Sequence, residues 1–115
     1  MFRPLQLAAV TALGAGDEWY AELNRTYALR RRAAERIFER LGCEFDPAQT
    51  GLFLWGRVPE GTTSAELTDR LLYDAGVFAT PGFVFGQNGE GYVRLSLCAA
   101  EERMEEALRR IDEKM

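Results

Sequence analysis

The 115-residue chain has no histidine, two cysteines and a single lysine. Without histidine neither a Ser-His nor a Cys-His nucleophile pair can be built, and most zinc sites go with it. Cys43 and Cys98 stand far apart in the sequence. Such sparse usage points to buried thiols in a reducing, cytoplasmic setting rather than a disulfide framework. Lys114 is next to the C-terminus, and the other 14 − 1 = 13 basic residues are arginine. A Schiff-base lysine needs a desolvated pocket to lower its pKa, which a chain end seldom offers. The net charge of −4 argues against a sequence-independent grip on nucleic acid. No apolar run approaches the roughly 20 residues of a membrane span. The opening Met1-Phe2-Arg3-Pro4 lacks the apolar core of a signal peptide. These absences leave no catalytic residue and no metal-ligand set to assign within the chain.

What is present suits an ordinary globular fold, with 47% hydrophobic and 28% charged residues. Pro4 fits the first turn of a short helix, with Leu5, Ala8, Ala9, Ala12 and Leu13 at helical spacing and Gly14 as its stop. A longer helical pattern runs from Glu18 to Leu41. Leu23, Tyr27, Ala34, Ile37 and Leu41 form its stripe, Phe38 widens it, and Gly42 ends it. Arg30 to Arg32 within it read either as an anion site or as a solvated face paired with acids such as Glu35. Cys43 to Phe45 predicts a short strand. Leu52 to Trp55 predicts a stronger one, apolar on both faces and therefore covered on both.

Thr63 and Glu66 have capping-box spacing, and Leu67, Leu71, Leu72 and Ala75 form the inner face of the helix that follows. Val77 to Thr80 predicts a strand stopped by Pro81-Gly82. Tyr92 to Cys98 alternates, with Val93, Leu95 and Leu97 on one face and Tyr92, Arg94, Ser96 and Cys98 on the other. A last helix carries Met104, Ala107, Leu108, Ile111 and Met115 on one side. Gly86, Gly89 and Gly91 do not form a dinucleotide fingerprint, because no helix follows them. Interleaved helices and short strands predict an α+β fold. It is a two-layer α/β sandwich, one domain over residues 1–115, whose small, mainly antiparallel sheet is covered by helices.

One residue stands out. Arg94 lies in a strand that reads as central, flanked by aliphatic side chains. Stranding a guanidinium in the interior costs several kcal/mol, so it must be paired or face a cleft. Either it makes a structural salt bridge with an acid, or its planar fork grips a carboxylate or phosphate through two parallel hydrogen bonds.

The run Thr80-Pro81-Gly82-Phe83-Val84-Phe85-Gly86, followed by Gly89-Glu90-Gly91-Tyr92-Val93-Arg94-Leu95-Ser96, resembles the C-terminal signature of class I/II aminotransferases. The resemblance extends through Phe2 with Leu5 to Ala9, Tyr27 with Arg30 to Arg32, Gly51 to Trp55, Val58-Pro59, Glu102-Arg103 and Ala107 to Ile111. It implies the small C-terminal domain of a longer enzyme of the aspartate aminotransferase type. Residues 1–14 then correspond to the segment leading from a large domain, and Met1 to an internal methionine. It further implies pyridoxal 5'-phosphate as cofactor, held by the large domain and not by these residues, so that the chain alone is inactive. Amino acids and 2-oxo acids are the implied substrates, and the family is usually homodimeric. By its place in the motif, Arg94 matches the family arginine that holds the α-carboxylate of the substrate. The rival readings are a free-standing α+β module that senses an amino acid through Arg94, or a protein-interaction module.

Overall fold

The computed structural model describes residues 1–115. Helix α1 spans Arg3–Leu13 and α2 spans Asp17–Leu41. Strands β1, Glu44–Phe45, and β2, Phe53–Arg57, precede α3, Ser64–Ala75. Strand β3, Thr80–Pro81, leads through two short 3-10 turns to β4, Tyr92–Ser96, and α4, Glu101–Lys114, closes the chain. The four strands form one antiparallel sheet in the order β1-β2-β4-β3. The helices α2, α3 and α4 pack on a single face of it, which is the α+β two-layer arrangement that the element pattern predicts.

The alternation in β4 builds the core. Val93 and Leu95 point toward the helices, with Leu97 just beyond, and they meet Leu54 of β2, Ile37 and Phe38 of α2, Leu67 and Leu71 of α3, and Met104 and Ile111 of α4. Phe38 is 0% exposed, and the space for its ring is left by Gly56 in β2, where a Cβ would approach the ring to 2.7 Å. Thr63 caps α3: its side chain accepts from the Glu66 N–H at 3.2 Å, while Glu66 accepts from the Thr63 N–H at 2.9 Å. This reciprocal capping holds the Glu66 carboxyl below the usual carboxylate range. Gly42 and Gly76 end α2 and α3 in the left-handed conformation. Ion pairs Arg36–Glu105 and Arg40–Asp112 join the exposed sides of α2 and α4. Such pairs add about 0–1 kcal/mol each, so the apolar seam beneath them carries the packing.

Several sequence expectations need correcting. Phe53 is 42% exposed and Trp55 only half-buried on the side opposite Leu54, so the helices cover β2 on one face only, and Leu52 falls just ahead of the strand. Its run of apolar residues marks an outer aromatic surface, not a doubly buried strand. The strand expected over Val77 to Thr80 is the two residues Thr80–Pro81. Pro81 takes part because its missing N–H falls on an edge strand, opposite Val93. Leu72 is exposed, and so is Cys98, whereas Cys43 is buried as expected. Arg30 and Arg31 are not a solvated face paired with Glu35. Arg30 donates to the Leu97 carbonyl at 3.1 Å and Arg31 to the Gly51 carbonyl at 2.9 Å. The two side chains thus tie α2 to the ends of β4 and β2. No helix is long and apolar enough to cross a membrane. Helix α1 buries none of its residues and stands apart from the core.

Candidate carboxylate-binding site

Arg94 sits in β4 between Trp55 of β2 and Thr80 of β3, its direct neighbours in the register. Because Val93 and Leu95 face the helices, the pleat sends Arg94 to the opposite, open face of the sheet. There the Cζ atom lies 4.1 Å from the ring centroid of Phe53 and 4.6 Å from that of Phe85. Phe53 pairs with Ser96 and is therefore the diagonal neighbour of Arg94 on the same face. The ring faces attract the cation by about 0.5–2 kcal/mol each and hold its plane.

Arg94 takes part in none of the ion pairs, which all lie on α2 and α4, and in no side-chain hydrogen bond. Its N–H edges are thus open to an anion. The salt-bridge alternative raised by the sequence has no partner in the fold. A half-buried guanidinium fixed by aromatic rings, with donors unspent, is suited to a planar bidentate anion such as a carboxylate.

The aromatic surround is itself braced. Trp55 stacks on Tyr92 with centroids 5.5 Å apart and meets Phe85 edge-on at 5.9 Å. Gln49 fixes the Trp55 backbone, accepting from its N–H at 2.8 Å and donating to its carbonyl at 2.7 Å. The side chain thereby continues the pairing where β1 has ended. A shallow hollow of about 550 Å³ flanks the Trp55–Tyr92 stack, lined also by Glu44, Asp46 and Arg57. Arg94 does not line it; its place is the open sheet face beside the ring of Phe85.

Phe85 reaches that place from the loop over residues 82–91. The loop is pinched at its neck, where a Cβ on Gly82 would lie 2.0 Å from the Gly89 carbonyl oxygen. Two glycines are therefore required for the backbones to meet. The sequence points to Arg94 and leaves open whether Phe83 and Phe85 line a cleft or pack within the domain, and it gives Phe53 no role. Phe53 was hidden inside an apolar run, and Phe85 inside a loop whose contacts no periodicity describes. The diagonal offset of Phe53 from Arg94 becomes readable only once the β2–β4 register is known.

No group of three or more Cys, Asp and Glu side chains is placed to hold a metal ion. Lys114, the only lysine, is at the exposed end of α4, on the helical side of the sheet and away from Arg94.

The chain resembles known proteins along nearly its whole length. The family described as aminotransferase class I and II matches residues 2–111. An LL-diaminopimelate aminotransferase from Oleidesulfovibrio alaskensis is 42% identical over 96% of this chain, which covers 28% of that relative. The same enzyme from Aquifex aeolicus is 39% identical, again over 96% of this chain and 28% of the relative. Among solved structures, substrate-bound BacF from Bacillus subtilis superposes with a TM-score of 0.81 at 32% identity, over 98% of this chain and 29% of that one. An aromatic aminotransferase from Pyrococcus horikoshii gives 0.80 at 32% identity, over 94% and 30%. The chain therefore spans less than a third of the length of these proteins.

Proposed function

Because this chain belongs to the class I and II aminotransferase family, we propose that it is the small C-terminal domain of a longer pyridoxal 5'-phosphate-dependent aminotransferase, in which Arg94 binds the α-carboxylate of the amino acid substrate. The observation that carries the reading is the unpaired guanidinium of Arg94, held by Phe53 and Phe85 on the open face of the sheet. A carboxylate meeting its N–H edge makes two charge-assisted hydrogen bonds, which fix the orientation of the attached Cα as well as its position. The same grip serves the incoming 2-oxo acid, whose carboxylate is identical in shape and charge.

The residues of this chain do not fit the cofactor. Lys114 is on the wrong side of the sheet, and no basic or glycine-rich helix N-terminus faces Arg94 to cradle a phosphate. The cofactor and the groups that act on it belong, in this reading, to the part of the longer protein outside these residues. The 115-residue chain then transfers no amino group by itself. Residues 1–14 connect to that part: Phe2, Leu5, Leu7 and Val10 of the α1 segment are exposed and find cover against the preceding domain. The names of the relatives make LL-diaminopimelate the first substrate to assay.

The test is kinetic. In the full-length enzyme, Arg94→Lys keeps the charge but loses the planar fork. It lowers turnover of α-amino acids far more than it lowers cofactor occupancy, read from the cofactor absorbance band. Equal loss of both, or no loss, would overturn the assignment. The separate 115-residue chain is expected to show neither the absorbance nor transamination.

A further inference from the structure

We infer that Glu90 is a positioning residue: its carboxylate moors the loop over residues 82–91 to the first turn of α3 and thereby holds the Phe85 ring over the guanidinium of Arg94. The consequence for substrate affinity rests on the carboxylate-binding reading given above; the mooring itself does not. Ser64 opens α3 and is fully buried, so its N–H has no acceptor within the helix and no access to water. Thr63 and Glu66 are spent on capping each other. Glu90, 26 residues further along the chain, supplies both acceptors: one carboxylate oxygen takes the Ser64 N–H at 3.1 Å and the other takes its hydroxyl at 2.9 Å. The negative charge also lies at the positive end of the helix. These bonds hold the Glu90 carboxyl below the usual carboxylate range, as expected for an acceptor committed to its ionised form.

The rest of the loop hangs from this point. Next to Glu90, the Gly91 carbonyl accepts from the Val58 N–H at 2.8 Å, and Gly89 is pressed against Gly82. Two successive turns, Gly89 N–H to Gly86 O and Gly86 N–H to Phe83 O, both 3.0 Å, carry the backbone to Phe85. Phe85 is 53% exposed, and its ring meets only Trp55 and Arg94 among the aromatic and cationic contacts. Its place is set by the loop backbone and not by core packing. No hydrogen bond or ion pair joins Glu90 to Arg94, so Glu90 acts on the guanidinium through Phe85.

The experiment uses the 115-residue chain with ¹⁵N-labelled arginine and follows the Arg94 Nε–H resonance, identified by its loss in Arg94→Lys. The Phe85 ring current displaces this signal. Glu90→Ala is expected to move it toward the position seen in Phe85→Leu, and Glu90→Ala with Phe85→Leu to move it no further. Ser64→Ala produces a smaller shift in the same direction. Glu90→Gln, whose amide oxygen still accepts from the Ser64 N–H while its N–H2 can only donate to the hydroxyl oxygen, restores part of the native signal. In the full-length enzyme, Glu90→Ala raises KM for the amino acid by about 3- to 10-fold, the scale of one lost cation–π contact. This rise too is absent in a Phe85→Leu background. An Arg94 signal unmoved by Glu90→Ala and Ser64→Ala, or effects of Glu90 and Phe85 that simply add, overturns the mooring. If the resonances behave as stated while KM is indifferent to Glu90, Phe85 and Arg94 alike, the mooring stands and the carboxylate-binding reading fails.

Discussion

Replacing Gly82 with alanine tests how the loop and the sheet are locked together. The added Cβ would lie 2.0 Å from the Gly89 carbonyl oxygen and 2.8 Å from that of Tyr92, where real Cβ contacts stay above 3.0 Å. The first contact alone demands 3.0 − 2.0 = 1.0 Å of separation, and both obstacles are backbone, so no side chain can rotate away. The neighbouring pairs Pro81↔Val93 and Thr80↔Arg94 resist that displacement. Overpacking of this kind costs about 1–3 kcal/mol, and the absence of a yielding partner puts Gly82→Ala at the upper end. With a urea dependence of about 1–3 kcal/mol per molar for a chain of this size, the unfolding midpoint falls by roughly 1–3 M. Gly14→Ala is the control, because its Cβ meets only carbonyl oxygens at 3.5 Å, an ordinary contact. Urea titration followed by tryptophan fluorescence reads both variants. If the midpoint of Gly82→Ala matches that of Gly14→Ala, the close approach of the two loop strands is wrong, and with it the placement of Phe85.

Two further predictions concern the thiols and α3. Burial pushes the Cys43 thiol up to about 11 from 9.0, while Cys98 is exposed. A thiol reagent at neutral pH therefore modifies one cysteine in the native chain and the second only after denaturant is added; rapid reaction of both would contradict the burial of Cys43. The unfolded thiol ionises near 9 and the folded one holds its proton to about 11, so the unfolded state binds fewer protons in that window. Stability falls as pH rises from 9 to 11, and Cys43→Ala removes that part of the alkaline loss. Thr63→Ala deletes the acceptor for the Glu66 N–H and costs about 1 kcal/mol in urea titration. No loss would mean that the capping box contributes nothing to α3.

The regular elements were legible because their signals are local. The stripe of α2, the Thr63–Glu66 spacing and the alternation of β4 each depend on neighbours within one or two turns of the chain. The same alternation puts Arg94 on the face opposite Val93 and Leu95, which is enough to single it out. Long-range pairing was not legible. Leu52 to Trp55 read as a buried strand, because apolar residues on both sides of a strand look alike whether helices or aromatic neighbours cover them. Arg30 and Arg31 read as a solvated face, because their acceptors are backbone carbonyls 67 and 20 residues away, which no side-chain pattern announces. Cys98 follows β4 in step with its outward face, but the strand ends at Ser96 and the thiol faces solvent. Glu90 gave no sign of its role, because the N–H it satisfies belongs to a different helix.

The central claim is that Arg94 recognises a carboxylate, and removing each partner in turn measures it most directly. In the full-length enzyme, kcat/KM is determined for an α-amino acid and for the amine lacking its carboxylate, with Arg94 and with Arg94→Ala. A bidentate, charge-assisted pair contributes roughly 3–4 kcal/mol, so the substitution lowers kcat/KM for the amino acid about 10²- to 10³-fold. The amine, which has nothing for the guanidinium to hold, is expected to lose less than about threefold. Equal losses for the two substrates would show that Arg94 serves the fold or the catalytic step in general, and that no carboxylate is gripped there.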